Sequence, residues 1–228
     1  MEYTFQFGPV LKYLPELMGG LWLSLFLSFV GIFGGLALGI ACAIVATGKF
    51  RVGRFVVRVY VEIMRNTPML VQIFVIFFGL PTLGIRFSPL TSVMLAIVLN
   101  NGGYIAEIVR GGIQSTHRSQ IEAAASLGLS AVQTMRFVIL PPALEKVMTP
   151  IVSQSVLLML STSLVSAIGV EDLTGAAMIA SSETFRTMEV YIVIAVIYLA
   201  LSFVFRAVLN GLALCVFKRT RRRAFGGN

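Results

Sequence analysis

Of 228 residues, 57% are hydrophobic and only 12% charged, about half the charged fraction of an ordinary soluble domain, so the chain lacks the polar surface to cover a globule in water. With a mean hydropathy of +0.90 it reads as a polytopic membrane protein. The net charge of +8 does not point to nucleic acid: basic residues beside apolar spans are what the positive-inside rule requires, and no soluble domain remains to present a phosphate-binding face.

Acidic Glu2 and no basic segment precede the first apolar run, 17–47, which is too long for a cleavable signal and long enough to cross the bilayer. Within it Gly31, Gly35 and Gly39 recur every four residues, a small-residue stripe suited to close helix packing inside the subunit or at a dimer seam. The second span is the short uncharged run 69–80, extended by part of 55–67, where Arg58 and Glu62 share a helical face and can pair. The third covers 90–106; at its inner end Glu107 and Arg110 pair with each other or with Glu62 and Arg65. The fourth covers 147–170 and the fifth 190–217, interrupted only by Arg206. The expectation is an all-α integral membrane protein of about five transmembrane helices. It forms one domain, residues 1–228, without repeats or linkers.

Charge gives the orientation. Lys49, Arg51, Arg54 and Arg58 follow the first span, Arg110, Arg118, Arg136 and Lys146 the third, and Lys218, Arg219, Arg221, Arg222 and Arg223 close the chain. The alternate segments hold Arg86 alone, then Glu171, Asp172, Glu183, Arg186 and Glu189. The C-terminus is therefore expected in the cytoplasm and the N-terminus outside, with the basic tail anchored at anionic headgroups. Cys42 and Cys215 lie in apolar runs near the two ends and His117 is the only histidine, so neither a structural disulfide nor a metal site is expected.

The cytoplasmic loop, about 114–142, is the most informative segment. Ser119 to Glu122 has capping-box spacing, Ala123, Ala124 and Ala125 continue a strong helix former, and Gly128 tolerates the left-handed conformation that ends one. Ser130 to Gln133 is a second capping box, opening a short helix that Pro141 and Pro142 are expected to end. The periodicity alone is equally that of a surface hairpin without a partner.

Glu122-Ala-Ala, Gly128 six residues after Glu122, and then Ile139-Leu140-Pro141 resemble the EAA loop of ABC-importer permeases. Five further stretches are similar to the polar amino-acid branch of that family: 62–72 with Arg65-Asn66-Thr67-Pro68, Phe78-Gly79-Leu80-Pro81, 104–115 with Ala106-Glu107-Ile108-Val109-Arg110-Gly111-Gly112, 162–169 with Thr162-Ser163-Leu164-Val165-Ser166, and Phe185-Arg186-Thr187-Met188-Glu189-Val190-Tyr191. The resemblance implies the type I ABC importer fold, and a permease that forms the pathway for a polar amino acid. It implies that this subunit is not an enzyme: ATP and Mg are used by a separate ATPase, and the chain binds no cofactor of its own. Consistently, it has no Gly-rich Lys-Ser/Thr phosphate loop. The implied partners are ABC ATPase subunits, a second permease copy or a paralogous permease, an extracytoplasmic solute-binding protein, the amino-acid substrate and membrane lipid, in a bacterial inner membrane. Coupling to the ATPase falls to Glu122, Ala123, Ala124, Ala125, Gly128, Leu140 and Pro141.

Polar groups at membrane depth are costly and so mark a pathway: Asn66, Thr67, Gln72, Gln154, Ser161, Thr162 and Ser163 are the candidates, with Asn100, Asn101 and Ser155 read rather as interhelical hydrogen bonds. The chain departs from the family at Leu160-Ser161, where relatives commonly carry Lys-Asp. A serine offers a substrate ammonium only a neutral hydrogen bond, so cationic amino acids are less favoured. His117 replaces a proline before the first loop helix and reads as an exposed loop residue. The alternative class is a stand-alone carrier or channel driven by an ion gradient; the span interiors lack the acidic residues such coupling needs, and there are no inverted repeats.

Overall fold

A computed structural model describes residues 3–48 and 50–216, with side chains described as far as residue 213. Every regular element in it is helical. After a single turn, α1 (Gly8–Leu11), the 34-residue α2 (Leu14–Thr47) carries Pro15 in its first turn, where the missing N–H costs nothing. At 1.5 Å per residue α2 is about 50 Å long, well beyond the roughly 30 Å hydrocarbon core. Its buried residues, Leu17, Gly20, Ser24, Leu27, Gly31, Gly35 and Gly39 among them, recur at three- and four-residue steps on one stripe. Trp22, Phe26, Phe29 and Phe33 are exposed on the remainder, the pattern of a helix facing lipid.

The glycine stripe has a defined partner. A Cβ at Gly31 would lie 2.2 Å from Ile97 Cγ2, and one at Gly39 2.6 Å from Ile105 Cβ. Both neighbours are on α5 (Pro89–Gln114), so the stripe is the seam between two helices of one subunit and not a dimer seam.

The second span is not the straight helix the hydropathy suggests. Helix α3 (Arg51–Asn66) and the segment Met69–Leu83, which begins with α4 (Met69–Phe74), are bent by 112° at the break between them. Pro68 removes a backbone donor and forces Thr67 into extended geometry (φ −119°, ψ 141°), which ends α3 there. A π-helical turn (Val75–Gly79) and a 3-10 turn (Leu80–Leu83) follow, stopped by Gly84 at φ 84°. The Ser88 hydroxyl, accepting from Thr91 N at 3.1 Å, caps α5.

The loop helices are α6 (Arg118–Ser126) and α7 (Ala131–Thr134). Two expectations fail here. Ser119 is not the N-cap of α6; His117 occupies that position without a side-chain bond, and Glu122 instead pairs with Arg118 one turn back at 3.3 Å. Nor do Pro141 and Pro142 end the second helix. A π-helical turn (Met135–Ile139) precedes them, and they fall in the first turn of α8 (Leu140–Ser161), where no intrahelical donor is required. The loop thus runs without interruption into the fourth span, Ala131–Ile168.

A 3-10 stretch (Thr162–Ile168) and Gly169 at φ 79° lead to α9 (Leu173–Thr184), then α10 (Thr187–Val216). Four described helices are long and apolar enough to cross a membrane, and the bent α3–α4 segment supplies a fifth span if counted as one. The core joins Leu27, Ile73, Val93, Ile97, Leu158 and Val165 from α2, α4, α5, α8 and the 3-10 stretch. A second cluster, Val10, Leu17, Leu173, Ala177 and Val190, closes the end where α1, α9 and α10 begin.

Two fully buried carboxylates pin that end. Gln6 N donates to Glu189 Oε1 at 3.0 Å, tying the N-terminal segment across the start of α10. Asp172 caps α9 through Gly175 N at 2.9 Å and accepts from Ser24 and Tyr198 hydroxyls, each at 3.3 Å, so one side chain links α2, α9 and α10. Burial pushes the Asp172 carboxyl above the ordinary carboxylate range despite these donors. Raised in the folded state, this group stabilises the fold fully below its unfolded pKa, and that contribution is lost as pH rises through the folded value. Asp172→Asn keeps the acceptor for Gly175, puts an NH2 donor where Oδ2 accepted from Ser24 and Tyr198, and abolishes the titration. Its thermal stability is expected to vary less with pH across the acidic range than that of the native chain, whereas Asp172→Ala, which removes the cap, is expected to cost about 1–2 kcal/mol throughout. Melting curves of the purified protein between pH 4 and 8 distinguish the two variants; identical pH profiles for native and Asp172→Asn would show that Asp172 does not titrate in this range.

Candidate functional site

Where the second span bends, the backbone turns away from its neighbours and leaves a cavity of about 470 Å³ between the α3–α4 break, α5 and α8. It is lined on one side by Arg65, Asn66, Thr67, Pro68 and Met69, and on the other by Asn100, Tyr104, Gln154, Leu157, Leu158 and Ser161. Of the pathway residues expected from the sequence, Asn66, Thr67, Gln154 and Ser161 meet here.

The other three lie elsewhere. Gln72 is buried behind the cavity wall, donating to Met64 O at 3.0 Å and Thr67 Oγ1 at 2.7 Å while its carbonyl accepts from Asn100 Nδ2 at 3.0 Å. It holds the break in shape, tying both sides of Pro68 to α5. Thr162 is fully buried and Ser163 half-buried, each donating to a carbonyl three residues back, Met159 and Leu160. Asn101 ties α5 to Gly31 O at 3.0 Å and receives Gln154 Nε2 at 3.4 Å. Ser161 returns its hydroxyl to Leu157 O at 2.8 Å, so its lone pairs are what the cavity sees.

Arg65, Tyr104 and Asn100 complete the lining, and the first two are what the sequence reading passed over. The Arg65 guanidinium lies 5.9 Å from the centre of the Tyr104 ring and 3.7 Å from Glu107 Oε1. Glu107 is in turn clasped by Arg110, whose Nε donates at 2.8 Å. Glu107 therefore pairs with both expected neighbours, while Glu62 accepts instead from Asn66 Nδ2 at 2.8 Å. Among the described residues Arg65 is the single formally charged side chain of the cavity lining; the rest offer amide, hydroxyl or apolar contacts.

The second feature is the loop. Helix α6 ends in two backbone bonds, Leu129 N to Ala124 O at 3.1 Å and Gly128 N to Ala125 O at 3.0 Å, with Gly128 at φ 74°. This is the Schellman arrangement, and it turns the chain sharply into α7. There Ser130 and Gln133 form the expected capping box. Ala124 is buried against the hairpin, whereas Glu122, Ala123 and Ala125 are exposed. Large apolar side chains stand outward around the turn: Leu127 is 81% exposed, Val132 76% and Phe137 63%. Leu140 is half-buried and Pro141 exposed where α8 begins. Lys146 Nζ holds Ser115 O at 3.0 Å, tying the two roots of the loop together. The basic tail, 218–223, lies outside the described residues.

Apolar spans around a polar cavity, with a rigid apolar-tipped hairpin at one end, define a membrane permease. Residues 35–214 match the family described as binding-protein-dependent transport system inner membrane component, and the chain belongs to it: it is a transmembrane permease subunit of an ABC importer. It is 35% identical over 210 residues to the glutamine transport system permease protein GlnP of Escherichia coli (strain K12), covering 91% of this chain and 96% of that one. To the probable amino-acid ABC transporter permease protein YckA of Bacillus subtilis (strain 168) it is 36% identical over 200 residues, covering 88% of each. A crystal structure of an amino acid ABC transporter with histidines superposes with a TM-score of 0.87 at 34% identity, over 92% of this chain and 98% of that one.

Proposed function

We propose that the cavity at the second-span break is the pathway through which a polar, uncharged-side-chain amino acid crosses the membrane. The observation that carries this reading is its lining: one guanidinium, Arg65, suited to a carboxylate, facing neutral donors and acceptors on Asn66, Thr67, Asn100, Gln154 and Ser161. Among the described residues no carboxylate lines it to hold a cationic side chain. The glutamine and amino-acid permeases named among its relatives support the same substrate class.

In this reading two permease subunits, a second copy or a paralogue, enclose the pathway. The hairpin of Glu122, Ala123, Ala124, Ala125 and Gly128, with Leu140 and Pro141 at its base, docks on an ABC ATPase that uses ATP and Mg. An extracytoplasmic binding protein delivers the solute. The hairpin and C-terminus face the cytoplasm and the N-terminus faces outside, the orientation the Lys and Arg counts favour.

The test is uptake of labelled glutamine into proteoliposomes holding the complete complex. Uptake is expected to require ATP and binding protein, and to be competed by neutral polar amino acids far better than by lysine or arginine. Equal competition by the cationic amino acids would overturn the substrate assignment, and uptake undiminished without ATP would overturn the coupling.

A further inference from the structure

A second cavity, of about 660 Å³, opens at the loop end of the helices, between the end of α2, the start of α3 and the end of α5. Its walls carry Arg51, Arg54 and Arg58 from α3, with Ala46, Arg110 and Gln114 from the last turns of the two spans. The cavity therefore sits where apolar helix gives way to water.

Helix α3 shows three stripes. Gly53, Val57, Tyr60, Val61 and Met64 point inward or lie part-buried, and Tyr60 donates to Leu99 O at 2.6 Å. Arg51, Arg54 and Arg58, at three- and four-residue steps, form the second. Val52, Val56, Val59 and Ile63 form the third, 41–63% exposed and uncovered by this chain. Two carboxylates line the cavity, Glu62 and Glu107, but Glu62 is held by Asn66 and Glu107 by Arg110 and Arg65. None of the described ion pairs engages Arg51, Arg54 or Arg58.

A basic cavity at the water boundary beside an exposed apolar stripe on the same helix matches an anionic phospholipid, with its phosphate among the arginines and its acyl chain along the valines. The volume suits a headgroup, within the range of ordinary small-ligand sites. We propose that Arg51, Arg54 and Arg58 form a specific site for the phosphate of an anionic phospholipid, which anchors the start of the bent second span. This site shares no lining residue with the solute cavity, which it borders at the Arg65–Glu107 pair, and it does not depend on which solute is carried.

Native mass spectrometry of the full permease–ATPase complex tests it, after equilibration in vesicles of phosphatidylcholine and phosphatidylglycerol in equal parts. The native complex is expected to retain phosphatidylglycerol selectively. Neutralising the three arginines together (R51Q, R54Q, R58Q) is expected to weaken retention by about fivefold per charge, on the order of a hundredfold in all. The matching lysine variants, which keep the charge but lose the planar fork, are expected to retain most of it. R86Q, remote from the cavity, is expected to change nothing. Inorganic phosphate is expected not to displace the lipid; displacement at millimolar phosphate would mean a free-anion site and overturn the lipid assignment. Retention unchanged in the triple glutamine variant, with its melting temperature also unchanged, would overturn the site itself. If that variant does not fold, R54Q alone, expected to lose about fivefold, decides the question.

Discussion

Gly128→Val is expected to uncouple the transporter while leaving the permease in the membrane. The native glycine holds φ at 74° with nothing within 4 Å of where a Cβ would stand, so an added Cβ meets no clash. The penalty lies in the backbone alone: a left-handed conformation costs an L-residue about 1–2 kcal/mol, and a β-branched one is the least tolerant. Relieving it means opening the two bonds that close α6, Leu129 N to Ala124 O and Gly128 N to Ala125 O, and swinging Leu127 and Val132 out of their fixed relation. If those apolar tips seat in the ATPase, solute-stimulated ATP hydrolysis is expected to fall at least roughly tenfold, the factor matching about 1.4 kcal/mol. Gly128→Asn, whose short side chain tolerates the left-handed region, is expected to keep most of the activity. The measurement is ATPase activity of the reconstituted complex, with co-purification of the ATPase as a control. Equal activity in the valine and asparagine variants would mean that the turn does not transmit the stroke.

The hairpin was legible because its determinants are local: a glycine at a helix end and a serine three residues before a glutamine act through backbone geometry within one turn. The spans were legible for the same kind of reason, since about twenty apolar residues suffice to cross the bilayer wherever they occur. What the sequence obscured depends on partners distant along the chain. Arg65 reads as an ion-pair partner for Glu107 and nothing more until α5 brings Tyr104 beside it and a cavity opens between them and α8. Asp172 and Glu189 enter the sequence reading only as charges of the segment between the fourth and fifth spans, yet both are fully buried, because Ser24, Tyr198 and the N-terminal segment close over them. The prolines at 141 and 142 misled for a different reason. A proline ends a helix only where its donor is needed, and the π-helical turn before Leu140 removes that need. The glycine stripe of α2 carried the periodicity of a seam but not the identity of its partner, which Ile97, Asn101 and Ile105 supply.

Ser161→Asp is expected to convert the cavity to one that accepts cationic amino acids. Position 161 faces Arg65, Asn66 and Thr67 across the cavity, with Gln154 two turns away on the same helix, and its hydroxyl proton is spent on Leu157 O, so it offers a solute only a neutral acceptor. A carboxylate there would supply the opposite charge that the lining lacks, at a point where water is partly excluded and a charged hydrogen bond is worth about 1.5–3 kcal/mol. That corresponds to roughly ten- to a hundredfold tighter binding of arginine or lysine. Glutamine gains nothing from the new charge, and its affinity is expected to stay level or to fall if the carboxylate draws Arg65 toward itself. Because a binding protein selects solute before it reaches the permease, the measurement is calorimetric titration of amino acids into the purified permease–ATPase complex without that protein. A gain for cationic amino acids alone locates the pathway at this cavity. If arginine and glutamine bind the variant and the native complex alike, position 161 does not contact the solute, and the pathway lies elsewhere between the two permease subunits.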